Sequence, residues 1–152
     1  MPGKSGDIYF HYLVKPFFFP GRTQAKAFIK TILHEHRKEV DAINYIFCSD
    51  KYLLTINKKY LKHNYYTDII TFELAQEEGV TADVFISVDR MRINASAFKV
   101  STSSEIMRLL IHGALHLCGY KDKNSAQSKR MKQLEEYYLD KYFVSRETNP
   151  KN

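Results

Sequence analysis

TSSEIMRLLIHGALHLCGYKD, residues 102–122, reads as a helix that carries chemistry on one face. Thr102 followed by Glu105 makes a capping box, in which the hydroxyl takes one orphan N–H and the carboxylate another. Ile106, Leu109, Leu110 and Leu117 supply an apolar stripe at helical spacing. Within that stripe sit His112 and His116. Four residues are about 400° of helix rotation, so both imidazoles leave one face about 6 Å apart. That spacing lets two histidines hold one metal ion. Gly119 is placed to end the helix in a left-handed conformation, and the reversed chain can bring Asp122, or a neighbour, back beside the pair.

Two nitrogens and one carboxylate oxygen, with a fourth position open, is the donor set of a catalytic zinc site rather than a structural one. Zinc lowers the pKa of a bound water from about 15.7 to about 7, so hydrolysis is the natural chemistry. Two histidines four apart also occur by chance in helices; the glycine stop and the reachable carboxylate are what add weight. Zinc peptidases of the H-E-x-x-H type place a general-base Glu directly after the first histidine. Here that position is Gly113, which disfavours peptidase chemistry of that kind. Cys118 lies about 200° around the helix from His116 and reads as a buried thiol. His34 and His36 suit an exposed helix end, and His11 suits packing within a strand.

Outward from this helix the pattern is strands first and helices last. Residues 8–13 and 43–48 are aromatic and β-branched and predict strands. Pro20-Gly21 predicts a turn, and Ala25, Phe28, Ile29, Ile32 and Leu33 follow at amphipathic-helix spacing. Ser49 or Asp50 can cap a helix with Leu53, Ile56 and Tyr60 on one face. Residues 61–67 read as a loop, 69–72 and 84–88 as strands, 89–98 as a short helical run, and 125–142 as a last helix. This order predicts an α+β fold rather than an alternating α/β one. It leaves the strand order open.

The chain has 152 residues, the usual size of one domain, and no linker, repeat or low-complexity tract divides it. One domain over 1–152 is expected. Hydrophobic residues make up 44% and charged residues 26%, enough apolar material for a core without disulfide staples. The two cysteines suit a reducing compartment. No apolar run approaches the roughly twenty residues of a membrane span, and MPGKSGDIYF lacks a signal peptide's apolar stretch. A cytoplasmic protein with no membrane partner is expected. The net charge of +6 favours polyanions, nucleic acid first. That charge is concentrated. Four lysines and no acid lie between 51 and 67, and five basic residues against Asp122 alone lie between 121 and 132. A metal site flanked by both stretches would have two rims that attract a polyanion.

His112-Gly113-Ala114-Leu115-His116-Leu117-Cys118-Gly119-Tyr120 resembles the signature HGxLHLxGYDH of the YbeY family of bacterial metal-dependent endoribonucleases. Asn57, Tyr60 and Thr67-Asp68-Ile69-Ile70-Thr71-Phe72 are similar to that family's LNxxYR…TDVLSF, and Ala82-Asp83-Val84 loosely to its GDI strand. The resemblance implies a small mixed four-stranded sheet packed with about five helices, one of them a zincin-like metal-binding helix. It implies one Zn²⁺, or another divalent transition metal, held by His112, His116 and Asp122. It departs from the family at two positions. Asp122 stands where the family has its third histidine, and Leu61 where it has an arginine linked to phosphate binding or catalysis. Lys59, Lys62 and His63 are the candidate substrate-binding replacements, and a solvated loop explains the lysines equally. No catalytic residue beyond the metal ligands is assigned.

The function this implies is single-strand-specific cleavage of RNA in ribosomal RNA maturation, with ribosomal RNA, the ribosomal subunit and ribosome-associated proteins as partners. Tyr65 and Tyr66 can stack on unpaired bases or pack in the core. Asp68 can orient a ligand histidine or cap its own loop. A second reading is an RNA-binding ribosome-biogenesis factor whose metal is largely structural, favoured by the missing arginine. A hydrolase of peptides or small molecules ranks third.

Overall fold

The computed structural model describes residues 6–147 apart from 18 and 20. In chain order the elements are β1 (Asp7–Tyr12), α1 (Arg22–Glu35), β2 (Val40–Cys48), α2 (Asp50–Ile56) with a π-helical continuation (Asn57–Leu61), β3 (Ile69–Ala75), β4 (Val80–Ser87), α3 (Val88–Phe98), α4 (Thr102–Leu117) and α5 (Ser125–Glu147). The four strands form one mixed sheet in the order β1-β2-β4-β3. β1, β2 and β4 run parallel, and β3 pairs antiparallel with β4 at the far edge.

α4 packs against one face of this sheet, between α1, α3 and α5. It comes close because residue 113 has no side chain: a Cβ there would lie 3.1 Å from Val84 Cγ1 and 3.5 Å from Ile69 Cδ1. Tyr45, fully buried on β2, donates its hydroxyl to the Leu110 carbonyl at 2.9 Å and ties sheet to helix. On the other face α2 closes a small cluster of Cys48, Leu53, Ile56 and Ile70 with Phe72 and Phe85.

The α+β class and the mixed four-stranded sheet with five α-helices match the expectation, among the described residues. Several local expectations give way to tertiary contacts. The helix α4 is capped by Ser101, which accepts from Ser104 N; Glu105 instead turns inward and is 1% exposed. β4 begins at Val80, four residues before the periodicity predicts. Val80 N donates to Glu39 O and Thr81 Oγ1 to Asp41 Oδ2, and this pairing draws the segment into the sheet. Tyr60 lies in the π-helical turn and meets Phe72 edge-on. Of the turn at 20–21, Pro20 lies outside the described residues. His36 is part-buried, not at an exposed end, because Nε2 meets the Tyr120 hydroxyl at 3.1 Å. No helix of the described residues is long and apolar enough to cross a membrane.

Candidate metal centre

The end of α4 builds the centre. Gly119 takes φ +102°, Gly119 N donates to His116 O, and Tyr120 N donates to Leu115 O, the paired bonds of a Schellman stop. The stop turns Tyr120 O back onto the helix, where it accepts from His116 Nδ1 at 2.9 Å. A carbonyl oxygen can only accept, so Nδ1 carries the proton and Nε2 keeps its lone pair. Two residues on, Asp122 Oδ2 arrives 3.4 Å from His112 Nε2 and 3.6 Å from His116 Nε2. The two Nε2 atoms are themselves 3.1 Å apart.

This donor set fits a zinc-class cation. Tetrahedral ligands at about 2.0–2.1 Å from zinc stand about 3.3 Å from one another, which is the triangle these three atoms form. Among the described residues His112, His116 and Asp122 are the group whose ligand atoms converge in this way. Cys118 is no member: its thiol is part-buried, and burial pushes it up to about 11.

Behind His112 lies a buried ionic buttress. His112 Nδ1 donates to Glu135 Oε2 at 2.5 Å, and the other oxygen of Glu135 accepts from Arg108 Nη1 at 3.0 Å. Arg108 also grips both oxygens of Glu105, at 2.8 and 2.6 Å, and reaches Asp68 at 3.4 Å. Asn94 joins Asp68 to Glu105. Burial alone would lower the His112 pKa, but the hydrogen bonds and charges of Asp122 and Glu135 outweigh it and push it up to about 9. His116 is held below its ordinary value by burial and by neighbouring His112, so it presents a neutral ring. The hydrogen bond from His112 leads the causes that hold Asp122 low. Burial opposes the charge of Glu135, yet His112 and Arg108 keep its carboxyl below the usual range.

The sequence reading missed this buttress. Glu135 occupies a core-facing stripe of α5 with Met131, Tyr138 and Tyr142, and a carboxylate in such a stripe was its available signal. Arg108 precedes His112 by one helical turn and shares its face. Asp68 serves neither role expected of it: its carboxylate pairs with Arg108 and Asn94, not with a histidine.

The centre opens into a cleft of about 860 Å³, whose lining includes Leu61, His63, Tyr65, Thr71, Lys121 and Lys123. His63 therefore borders the site, with Tyr65 stacked on its ring at 5.0 Å. Lys59 lies over the Tyr60 ring and Lys62 ends the π-helical turn; neither is part of the cleft wall. The basic stretch after the histidines reaches the cleft through Lys121 and Lys123, whereas none of the four lysines of the earlier stretch lines it and His63 is that stretch's basic side chain in the wall. Tyr65 and Tyr66 are half exposed rather than core, and Tyr66 carries the Arg90 guanidinium on its face. Asn57, 1% exposed, clips the intervening loop by donating to Tyr65 O at 2.8 Å.

Residues 21–143 match the family model described as Endoribonuclease YbeY. A relative of that name from Flavobacterium psychrophilum is 45% identical over 113 residues, covering 74% of this chain and 80% of the relative. One from Cytophaga hutchinsonii is 41% identical over 119 residues, covering 78% and 83%. The solution structure of a Thermotoga maritima protein superposes with a TM-score of 0.62 at 25% identity, over 94% of this chain and 93% of that one.

Proposed function

Since the chain belongs to the Endoribonuclease YbeY family, we propose that it is a metal-dependent endoribonuclease that cuts unpaired RNA during ribosomal RNA maturation in the cytoplasm, on or near the ribosomal subunit. The observation that carries this reading is the convergence of His112 Nε2, His116 Nε2 and Asp122 Oδ2 in the wall of an open cleft that Lys121 and Lys123 also line. Zinc bound there supplies Lewis-acid polarisation of a phosphoryl oxygen and activation of water for attack on phosphorus.

The chain's own residues do the rest. Glu135 and the Tyr120 carbonyl hold the two rings with Nε2 toward the cleft, so no rotamer freedom is lost on loading. Asp122 brings one negative charge to the donor set where three imidazoles would bring none, which makes water there less acidic than under three neutral ligands. Lys121 and Lys123 hold the RNA backbone as point charges, and His63 contacts phosphate across from them.

Leu61 supports the second reading, an RNA-binding biogenesis factor with little nuclease activity of its own. It places an apolar side chain in the cleft wall where the family resemblance has an arginine, and Arg108 is occupied by three carboxylates. One experiment separates the two. Zinc-loaded protein should cut single-stranded RNA, and a chelator or His116→Ala should abolish the cut. Binding of ribosomal RNA with no metal-dependent cleavage would select the second reading, and cleavage that survives His116→Ala would reject the first.

A further inference from the structure

β3 is the edge strand of the sheet and a wall of the cleft: Ile69, Ile70, Thr71 and Glu73 line it together with His112 and His116, and the hydrogen-bond phase of the strand decides which of them offer main-chain groups to it. Its hydrogen-bond phase follows from one bond. Ser87 N donates to Asp68 O at 2.9 Å, which makes Asp68 and Ser87 a hydrogen-bonded pair. The register continues Ile69↔Ile86, Ile70↔Phe85, Thr71↔Val84 and Phe72↔Asp83. Antiparallel ladders alternate bonded and non-bonded pairs. Ile70 and Phe72 therefore aim their N–H and C=O at β4, while Ile69, Thr71 and Glu73 turn theirs outward. The outward set repeats about every 6.8 Å along the strand. In the same wall Thr71 Oγ1 is buried with no hydrogen-bond partner among the described residues.

We propose that this outward edge of β3 is the base-reading subsite of the nuclease: the main-chain N–H and C=O groups of Ile69, Thr71 and Glu73 pair with the Watson–Crick edges of unpaired RNA bases. The proposal rests on the RNA-cleaving reading above and says what selects the strand. A free peptide edge carries alternating donors and acceptors, as an unpaired base edge does, and a duplex has already paired its own. It thereby gives single-strand selectivity a physical cause that needs no side chain. Charge favours RNA over an extended peptide as the occupant. Inside the cleft Asp68 is neutralised by Arg108 and Asp122 by the histidines, which leaves Glu73 as the one lining acid without an ion pair among the described residues, while Lys121, Lys123 and His63 line the same cleft and the two lysines have no acidic partner among the described residues. Phosphates would follow those lysines while the bases face the edge.

Amide hydrogen exchange followed by NMR tests this on the zinc-loaded full chain. The probe is a short unpaired 2′-O-methyl oligoribonucleotide, chosen to slow cleavage. Exchange at Ile69, Thr71 and Glu73 should be fast in the free protein and slow by about tenfold on binding. Ile70 and Phe72 should be protected throughout, and the same sequence as a duplex should protect none of the three. Oligonucleotide binding without that protection overturns the subsite, and if the wild type still cuts RNA the nuclease reading survives. Absence of both binding and cleavage removes both. Protection by an extended peptide but not by the oligonucleotide also overturns the proposal and makes the edge a peptide site. As a second arm, Glu73→Pro deletes one outward N–H at an edge position that tolerates proline. It should weaken oligonucleotide binding about fivefold more than Glu73→Ala, the fold-change of one hydrogen bond. Equal affinities in the two variants would count against the subsite.

Discussion

Glu135 determines which nitrogen of His112 is free to bind a cation, and Arg108 determines where Glu135 stands. Outer partners of this kind fix ring orientation, and their loss costs metal affinity without removing a ligand. Glu135→Gln should therefore lower zinc affinity by about 10–100-fold, read by competition with a chelator, with the fold retained. An unchanged affinity would mean that the buttress serves packing alone. Asp122→Ala removes a donor atom and should lose zinc outright, whereas Asp122→His restores an imidazole donor and should keep it. If Asp122→Ala stays fully loaded, the third ligand is another group.

At the scale of elements, two glycines of one helix region do opposite work. Gly113 lets α4 touch the sheet, so a side chain on the residue after the first histidine would meet Val84, Ile69 and Tyr45 in the helix–sheet interface. That is the physical reason a general-base glutamate has no place there: Gly113→Glu would drive a carboxylate into the core. Its product should be unfolded or insoluble by circular dichroism. Gly119 ends the helix at a φ of +102° that side-chain-bearing residues rarely adopt. Gly119→Ala should cost about 1–2 kcal/mol in thermal unfolding. It should weaken zinc binding as well, since the same turn aims Tyr120 O and Asp122. A loss of stability with unchanged zinc affinity would uncouple the two. Between α1 and α5, Glu35 accepts from the Tyr138 hydroxyl at 2.8 Å and pairs with Lys141 at 3.2 Å. Its partial burial opposes the charge, but these contacts prevail and hold its carboxyl below the ordinary 4.5. A depressed folded pKa gives stability that is present above the unfolded value and lost as pH falls through the folded one. The melting-temperature gap between wild type and Glu35→Gln should thus be widest near neutrality and close below pH 4.5; a gap that is independent of pH would deny the contact.

Over the whole molecule, the charge of +6 is directed more by fold than by composition. Lys121 and Lys123 face the centre, while Lys59 is turned onto an aromatic ring. Reversing the two cleft lysines together, Lys121→Glu with Lys123→Glu, should weaken RNA binding and flatten its salt dependence by roughly two counterions. An unaltered salt slope would place the RNA elsewhere. The residue pattern 102–122 is legible in the chain alone: a helix, two histidines on one face, a glycine stop and a carboxylate just beyond, because helical periodicity and turn chemistry are local. The strand segments are legible for the same reason. Strand order, the early start of β4, the inward turn of Glu105 and the buttress on His112 are not. Each depends on contacts between residues far apart in sequence, Glu135 to His112 or Val80 to Glu39, and periodicity carries no information about which distant surfaces meet. Local periodicity and turn chemistry are enough to put a metal-binding face at the end of a helix. What holds that face rigid, and which strand edge it looks upon, are fixed by the packed layers, because burial and strand pairing join residues far apart in the chain.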